Sequence, residues 1–119
     1  MAEYKKLIVW QKGMNLCEEV YLITKKLPKE ELFGLTNQLR RAAVSIPSNI
    51  AEGYGRYSDK EFIYFLKVAR GSTAEVETQL LLCFKLGYVA ERDLQTAMSL
   101  VREVFSLLTR FILNAESNK

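Results

Sequence analysis

The sequence holds no histidine, two cysteines, two prolines, six glycines and one tryptophan in 119 residues. Each scarcity closes off a class of protein. Without histidine the chain lacks the usual general base near neutral pH, and also the Glu-x-x-His ligand pair of di-iron helical bundles. Cys17 and Cys83 stand far apart with no Cys-x-x-Cys spacing. They read as two reduced core cysteines rather than a disulfide or a metal site. No metal and no cofactor are expected. Sparse proline and glycine argue against a turn-rich β sandwich and for long helices. No run of about 18 apolar residues occurs, and the N-terminal stretch lacks an apolar core with a small-residue cleavage site. A cytoplasmic protein without a membrane partner is the expectation.

Charge of one sign is only slightly in excess: 17 basic against 14 acidic residues, a net +3. Residues 1–56 carry nine Lys or Arg against six acids, and residues 57–119 carry eight against eight, so the excess is N-terminal. A length of 119 residues suits one folding unit with one core.

What the chain does contain is helical periodicity. Trp10, Met14, Cys17, Tyr21 and Thr24 recur at helical spacing, with Leu16, Val20, Ile23 and Leu27 beside them, until Pro28 intervenes. A second stripe runs through Leu35, Leu39, Ala42, Ala43, Ile46, Ile50 and Gly53 and continues across Pro47, which predicts one kinked helix. Ser58 and Glu61 form a capping box before Phe62, Phe65, Leu66, Ala69, Val76, Leu80 and Cys83, and Gly87 suits a left-handed C-terminal cap. Leu94, Ala97, Met98, Val101, Val104, Phe105, Leu108, Phe111 and Ile112 mark the last stripe. The reading is all-α: an up-down-up-down four-helix bundle with helices at approximately 7–27, 32–56, 59–86 and 91–114 and a frayed AESNK tail. Its stripes are wide for one small core, which suggests self-association.

Among polar residues, no serine or threonine has an identifiable base partner, and Gly53-Tyr54-Gly55 is too short to cradle a phosphate. A carboxylate mechanism through Glu52, Glu75 or Glu77 is the one enzymatic route left, and the chain is expected not to be an enzyme. Arg40 and Arg41 have two readings. Guanidinium forks match phosphate oxygens. Alternatively, a hairpin about the Tyr57/Ser58 turn sets position i opposite roughly 115 − i, and Glu75 and Glu77 become ion-pair partners. The spacing favours the ion pairs. Arg41, Ser45, Ser48 and Glu52 form one polar stripe, and Ser45, Ser48 and Asn49 are placed to bond the Ala43 carbonyl that Pro47 leaves free. The other cations fall into small groups: Lys5, Lys6 and Lys12; Lys25, Lys26 and Lys29; Arg56 and Lys60. They read as a solvated surface which, multiplied by symmetry, could contact RNA or DNA. Trp10 and the tyrosines read as core or seam aromatics.

The segments VWQK (Val9–Lys12), FGLTNQLRRAAVSIPSNIAEGYGR (Phe33–Arg56), EFIYFLKVARGS (Glu61–Ser72), ETQL (Glu77–Leu80) and LGY (Leu86–Tyr88) resemble the bacterial four-helix-bundle proteins encoded in intervening sequences of 23S ribosomal RNA genes. That resemblance implies a homopentameric, barrel-like ring. The chain is also similar to the accessory variability protein of diversity-generating retroelements, a basic pentamer that binds a reverse transcriptase and nucleic acid. This implies a nucleic-acid-associated scaffold, or a scaffold for a partner enzyme. Arg40, Arg41, Ser45, Pro47, Ser48, Asn49, Glu52 and Arg56 are motif residues, for which the resemblance supplies no reaction.

Overall fold

A computed structural model describes residues 3–117. Four helices make up most of it: α1 Ile8–Thr24, α2 Leu35–Tyr54, α3 Asp59–Lys85 and α4 Glu91–Ser117, with 3-10 turns at Glu3–Lys6 and Lys29–Glu31. No strand occurs among the described residues.

The helix ends follow from local chemistry. α1 stops before Pro28, earlier than the stripe predicts, because the proline forces extended backbone on the residue before it. The chain tightens there through i to i+3 bonds, Lys26 N–H to Ile23 O and Leu27 N–H to Thr24 O. α2 begins at Leu35 rather than near 32, since Gly34 (φ −108, ψ −113) leaves the helical region. Gly34 brings no capping side chain, so Glu31 Oε1 accepts the Leu35 N–H at 3.0 Å. At α3 the Ser58 hydroxyl accepts the Glu61 N–H at 3.1 Å, as the capping box requires. The other end is a Schellman turn: Tyr88 N–H bonds Cys83 O and Gly87 N–H bonds Phe84 O, with Gly87 at φ 79. α4 does not fray after Asn114. It runs to Ser117 because Ala115 packs on the core and Glu116 pairs with Lys67 at 3.2 Å. The last two residues of the expected tail, Asn118 and Lys119, lie outside the described residues.

Contacts between helices run in opposite senses along each neighbouring pair. Ser45 meets Ser72 and Gln38 meets Gln79 across α2 and α3. Arg40 meets Thr24 across α1 and α2, Lys12 meets Glu103 and Lys26 meets Asp93 across α1 and α4, and Phe62 meets Phe111 across α3 and α4. The resulting rod measures 46 × 22 × 22 Å. Its core includes Leu16, Leu39, Ile46, Ile50, Leu66, Leu80 and Leu108, none of which is exposed.

Two corrections concern packing. On α1 the buried residues are Val9, Gly13, Leu16, Val20, Ile23 and Thr24. Of the expected main row, Thr24 is buried and Trp10 and Cys17 pack partly on the core, whereas Met14 and Tyr21 face solvent at 42 % and 40 %. α2 passes through Pro47 as one helix, and the proline is buried. The neighbouring helix leaves room for it: a Cβ placed on Gly13 would lie 3.2 Å from Ile46 Cγ2 and 3.7 Å from Pro47 Cδ, so α1 approaches α2 closely at this level. Asn49 does not reach the Ala43 carbonyl. It donates instead to the Ser45 carbonyl at 2.8 Å and to the Ser45 hydroxyl at 2.9 Å, and Ser45 in turn shares a 2.8 Å bond with the Ser72 hydroxyl.

Candidate functional site

Five of the motif residues of α2, Arg40, Arg41, Ser45, Ser48 and Asn49, line one open groove of about 630 Å³, while Pro47 is buried and Glu52 and Arg56 lie apart from it. Tyr21 and Val44 supply its apolar part. Arg40 is half-buried and firmly held. Its Nε donates to Thr24 Oγ1 at 2.9 Å, and its guanidinium carbon lies 4.6 Å from the Tyr21 ring centroid. Thr24 is itself anchored, since its hydroxyl donates to the Val20 carbonyl at 2.8 Å. Stacking and a single Nε bond orient the fork without consuming it. Among the described residues, the terminal amino groups of Arg40 bond nothing. Arg41, the next residue, is exposed.

The predicted ion pairs of Arg40 and Arg41 with Glu75 and Glu77 do not form. Two physical reasons explain this. The cross-helix bonds set position i of α2 opposite about 117 − i of α3, two residues away from the expected register. More decisively, Arg40 turns toward α1, where Thr24 and Tyr21 hold it. Glu75 is exposed, and Glu77 lines a different groove, between α3 and α4. Neither arginine forms an ion pair among the described residues.

The other predicted cations are dispersed, and several are neutralised. Lys6 pairs with Glu3 at 3.7 Å, Lys12 with Glu103 at 3.0 Å and Lys26 with Asp93 at 3.6 Å. Arg56 pairs with Glu52 and also lies 5.0 Å from the Phe65 ring centroid. Lys5, Lys25 and Lys60 are exposed; the antiparallel helices set Lys5 and Lys60 toward one end of the rod and Lys25 at the other. The polar stripe of α2 therefore ends in an acid-base pair at Glu52, while its other end offers unpaired guanidinium. The tyrosines are less buried than expected: Tyr54, Tyr57 and Tyr64 are exposed, Tyr57 completely. Trp10 is half-buried, 5.4 Å from Tyr4 in an edge-to-face contact.

A second groove, of about 590 Å³, was not visible in the sequence. Val101, Arg102, Phe105, Thr109, Arg110 and Leu113 of α4 line it, with Glu77 of α3 opposite. Phe105, expected in the core, is 41 % exposed there, and Arg70 of α3 lies 6.0 Å from its ring centroid. These arginines are scattered along the chain. Arg102 and Arg110 share one side of α4, and the antiparallel pairing of α3 and α4 brings Arg70 to them.

At one end of the rod, Glu31 ties two loops together. Its Oε2 accepts the Tyr88 hydroxyl at 2.8 Å while Oε1 caps α2. The Leu35 N–H and then the Tyr88 hydroxyl hold the Glu31 carboxyl below its ordinary value. The bond to Glu31 pushes the Tyr88 hydroxyl up. Asp93 is lowered likewise, first by the Ala90 N–H that it accepts at 2.8 Å. Both cysteines are free thiols. Burial, with Glu31 adding to it, pushes Cys83 up to about 11. No trio of Cys, Asp or Glu among the described residues is arranged to hold a metal ion, and no helix there is long and apolar enough to cross a membrane.

Comparison with known proteins bears on this geometry. No curated protein matches the chain. A crystal structure of a protein of unknown function from the S23 ribosomal protein family, from Bacteroides thetaiotaomicron, superposes with a TM-score of 0.81 at 24 % identity, covering 88 % of this chain and 98 % of that one. At that identity the likeness speaks for the fold. The profile of the family described as 23S rRNA-intervening sequence protein matches residues 5–110. Nearly the whole bundle, with the α2 groove at its centre, is thus that of a member of the 23S rRNA-intervening sequence protein family, and the chain belongs to it.

Proposed function

We propose that this protein is a non-catalytic, homo-oligomeric helical scaffold, pentameric as its resemblances imply, that binds RNA or DNA along the α2 groove. The observation that carries the reading is the state of Arg40 and Arg41. They stand adjacent on an open groove with no acidic partner, and Arg40 is oriented by Thr24 and Tyr21 with the end of its fork unused. Phosphate is the ligand that such a fork fits, and Ser45, Ser48 and Asn49 add neutral hydrogen-bonding groups beside it. One protomer offers few contacts, so useful affinity requires symmetry to repeat the groove. Each additional phosphate neutralised on a single strand steepens the log–log salt dependence by about 0.7.

The test is an anisotropy titration of labelled single-stranded RNA and DNA between low and physiological salt. Affinity should fall steeply with salt. Replacing Arg40 and Arg41 by glutamine should weaken binding to all sequences alike and flatten the slope. Absence of binding at low salt would overturn the proposal.

A second reading is a scaffold that docks a partner enzyme, such as a reverse transcriptase, without touching nucleic acid. The observation favouring it is the apolar side chains near the loops at one end, where Phe33 is 91 % exposed and Leu32 and Leu86 are each 51 % exposed. It calls for a partner that stays bound after nuclease treatment. Loss of every partner under nuclease counts against it.

A further inference from the structure

The two sides of α4 carry opposite charge, and this asymmetry supplies a seam for assembly. On one side, between α3 and α4, Arg102 and Arg110 flank Phe105 and Leu113, which are 41 % and 59 % exposed. Eight residues of helix separate the two arginines by about 12 Å. Neither forms an ion pair among the described residues, and neither does Glu77, the one acid of that groove. The Thr109 hydroxyl, which faces the same groove, is covered yet has no hydrogen-bond partner.

On the other side, between α1 and α4, Glu18, Glu19 and Glu103 lie with Asn15 and Leu22. Lys12 takes up Glu103 at 3.0 Å, while Glu18 and Glu19 have no cation among the described residues. The α1 face also exposes apolar surface, Leu22 at 55 % and Met14 at 42 %. One face is thus apolar with spare cations, the other apolar with spare anions.

We propose that the α3/α4 groove receives the α1 face of a second copy of this chain, with Glu18 and Glu19 of one protomer opposite Arg102 and Arg110 of the next. The proposal rests on the oligomeric reading given above and specifies its interface. Complementary patches at different places on one molecule make a head-to-tail contact, which generates rings where the rotation closes. Opposed potentials set the register of such a contact and disfavour like-face pairing. Phe105 and Leu113 are covered by Leu22 and Met14 in the process. The α2 groove adjoins α1 through Tyr21, so each seam brings an Arg40/Arg41 pair beside a neighbouring subunit.

Light scattering tests this with two charge-reversed chains, one carrying Glu18→Lys and Glu19→Lys, the other Arg102→Glu and Arg110→Glu. Each alone should fall to the 13.7 kDa monomer mass while keeping the wild-type helical circular dichroism, because none of the four residues has an ion-pair partner among the described residues. Mixed together, they should associate into 1:1 heterodimers and longer alternating assemblies, which do not close into a five-membered ring, since each altered face then meets its complement. An assembled wild type whose variants keep its mass overturns this seam and leaves the oligomeric reading standing. So do monomeric variants that fail to associate when mixed. A wild type that is monomeric at all concentrations overturns the oligomeric reading and this seam with it.

Discussion

A methyl group added at Gly53 has nowhere to go. A Cβ built there lies 2.7 Å from Phe65 Cβ, 3.1 Å from Phe62 Cδ1 and 3.4 Å from the Phe62 carbonyl oxygen. Phe65 Cβ is fixed to the α3 backbone and cannot rotate aside, so relief requires the end of α2 to move off α3. Overpacking of this kind costs about 1–3 kcal/mol. Alanine returns roughly 1 kcal/mol through its better helix propensity. A 2.7 Å contact to a fixed atom belongs in the upper part of the overpacking range, about 2–3 kcal/mol, so Gly53→Ala should destabilise by about 1–2 kcal/mol net of the propensity gain. Gly71 is the internal control. It lies within α3, is exposed, and a Cβ there meets nothing within 4 Å. Gly71→Ala should stabilise by about 0.5–1 kcal/mol. Urea unfolding followed at 222 nm gives both values, and thermal midpoints should separate in the same order, at about 3–6 °C per kcal/mol for a domain of this size. A Gly53→Ala chain as stable as the wild type would refute the packing argument.

Three further outcomes follow from the site. Because the folded Glu31 carboxyl lies below its ordinary value of 4.5, its contribution to stability is complete above that value and disappears as pH falls through the folded one. Asp93 behaves likewise from 3.8 downward. Glu31→Gln should lower stability at pH 7 and flatten its decline in acid, and urea midpoints with an unchanged acid slope would remove Glu31 as the cause. Cys83, raised to about 11, should resist a disulfide reagent at pH 8 in the folded protein and react once urea unfolds it, with half-buried Cys17 reacting earlier. Equal native rates would contradict that order. Thr24→Val removes the 2.9 Å support of Arg40, a loss of about 1 kcal/mol in orientation or roughly five-fold in oligonucleotide affinity. Undiminished binding would show that Arg40 needs no such support.

Periodicity and end signals made most of the architecture legible. Ser58 with Glu61, Gly87 and Pro28 each mark a terminus through chemistry confined to a few neighbouring residues, and those ends fall within a few positions of expectation. What a stripe cannot settle is which edge of a broad apolar face points inward. Trp10, Met14, Cys17 and Tyr21 looked as suitable for the core of α1 as Leu16, Val20 and Ile23, and only packing against α2 and α4 decided for the second row. The site suffered from the same gap. Arg40 was assigned to α3 from a hairpin register, but Thr24 and Tyr21, sixteen or more residues earlier, hold it on α1. Arg102 and Arg110 share one side of α4 but border its apolar stripe like any solvated pair, and Arg70 joins them only once α3 packs beside α4.

The bond between Glu31 and Tyr88 has a consequence for how the chain withstands cutting. It joins the α1–α2 connection to the α3–α4 connection, so that end of the rod is sewn across both helical hairpins. At the opposite end the covalent link between the hairpins is the exposed stretch from Gly55 to Ser58, beside the packing of Gly53 and Tyr54 on Phe62, and Tyr57 stands entirely in solvent. A protease that cleaves after Tyr57 should leave two fragments that stay together, clasped by Glu31 with Tyr88, Ser45 with Ser72 and Gln38 with Gln79. The molecule is in effect two hairpins that could be supplied as separate pieces and still find each other.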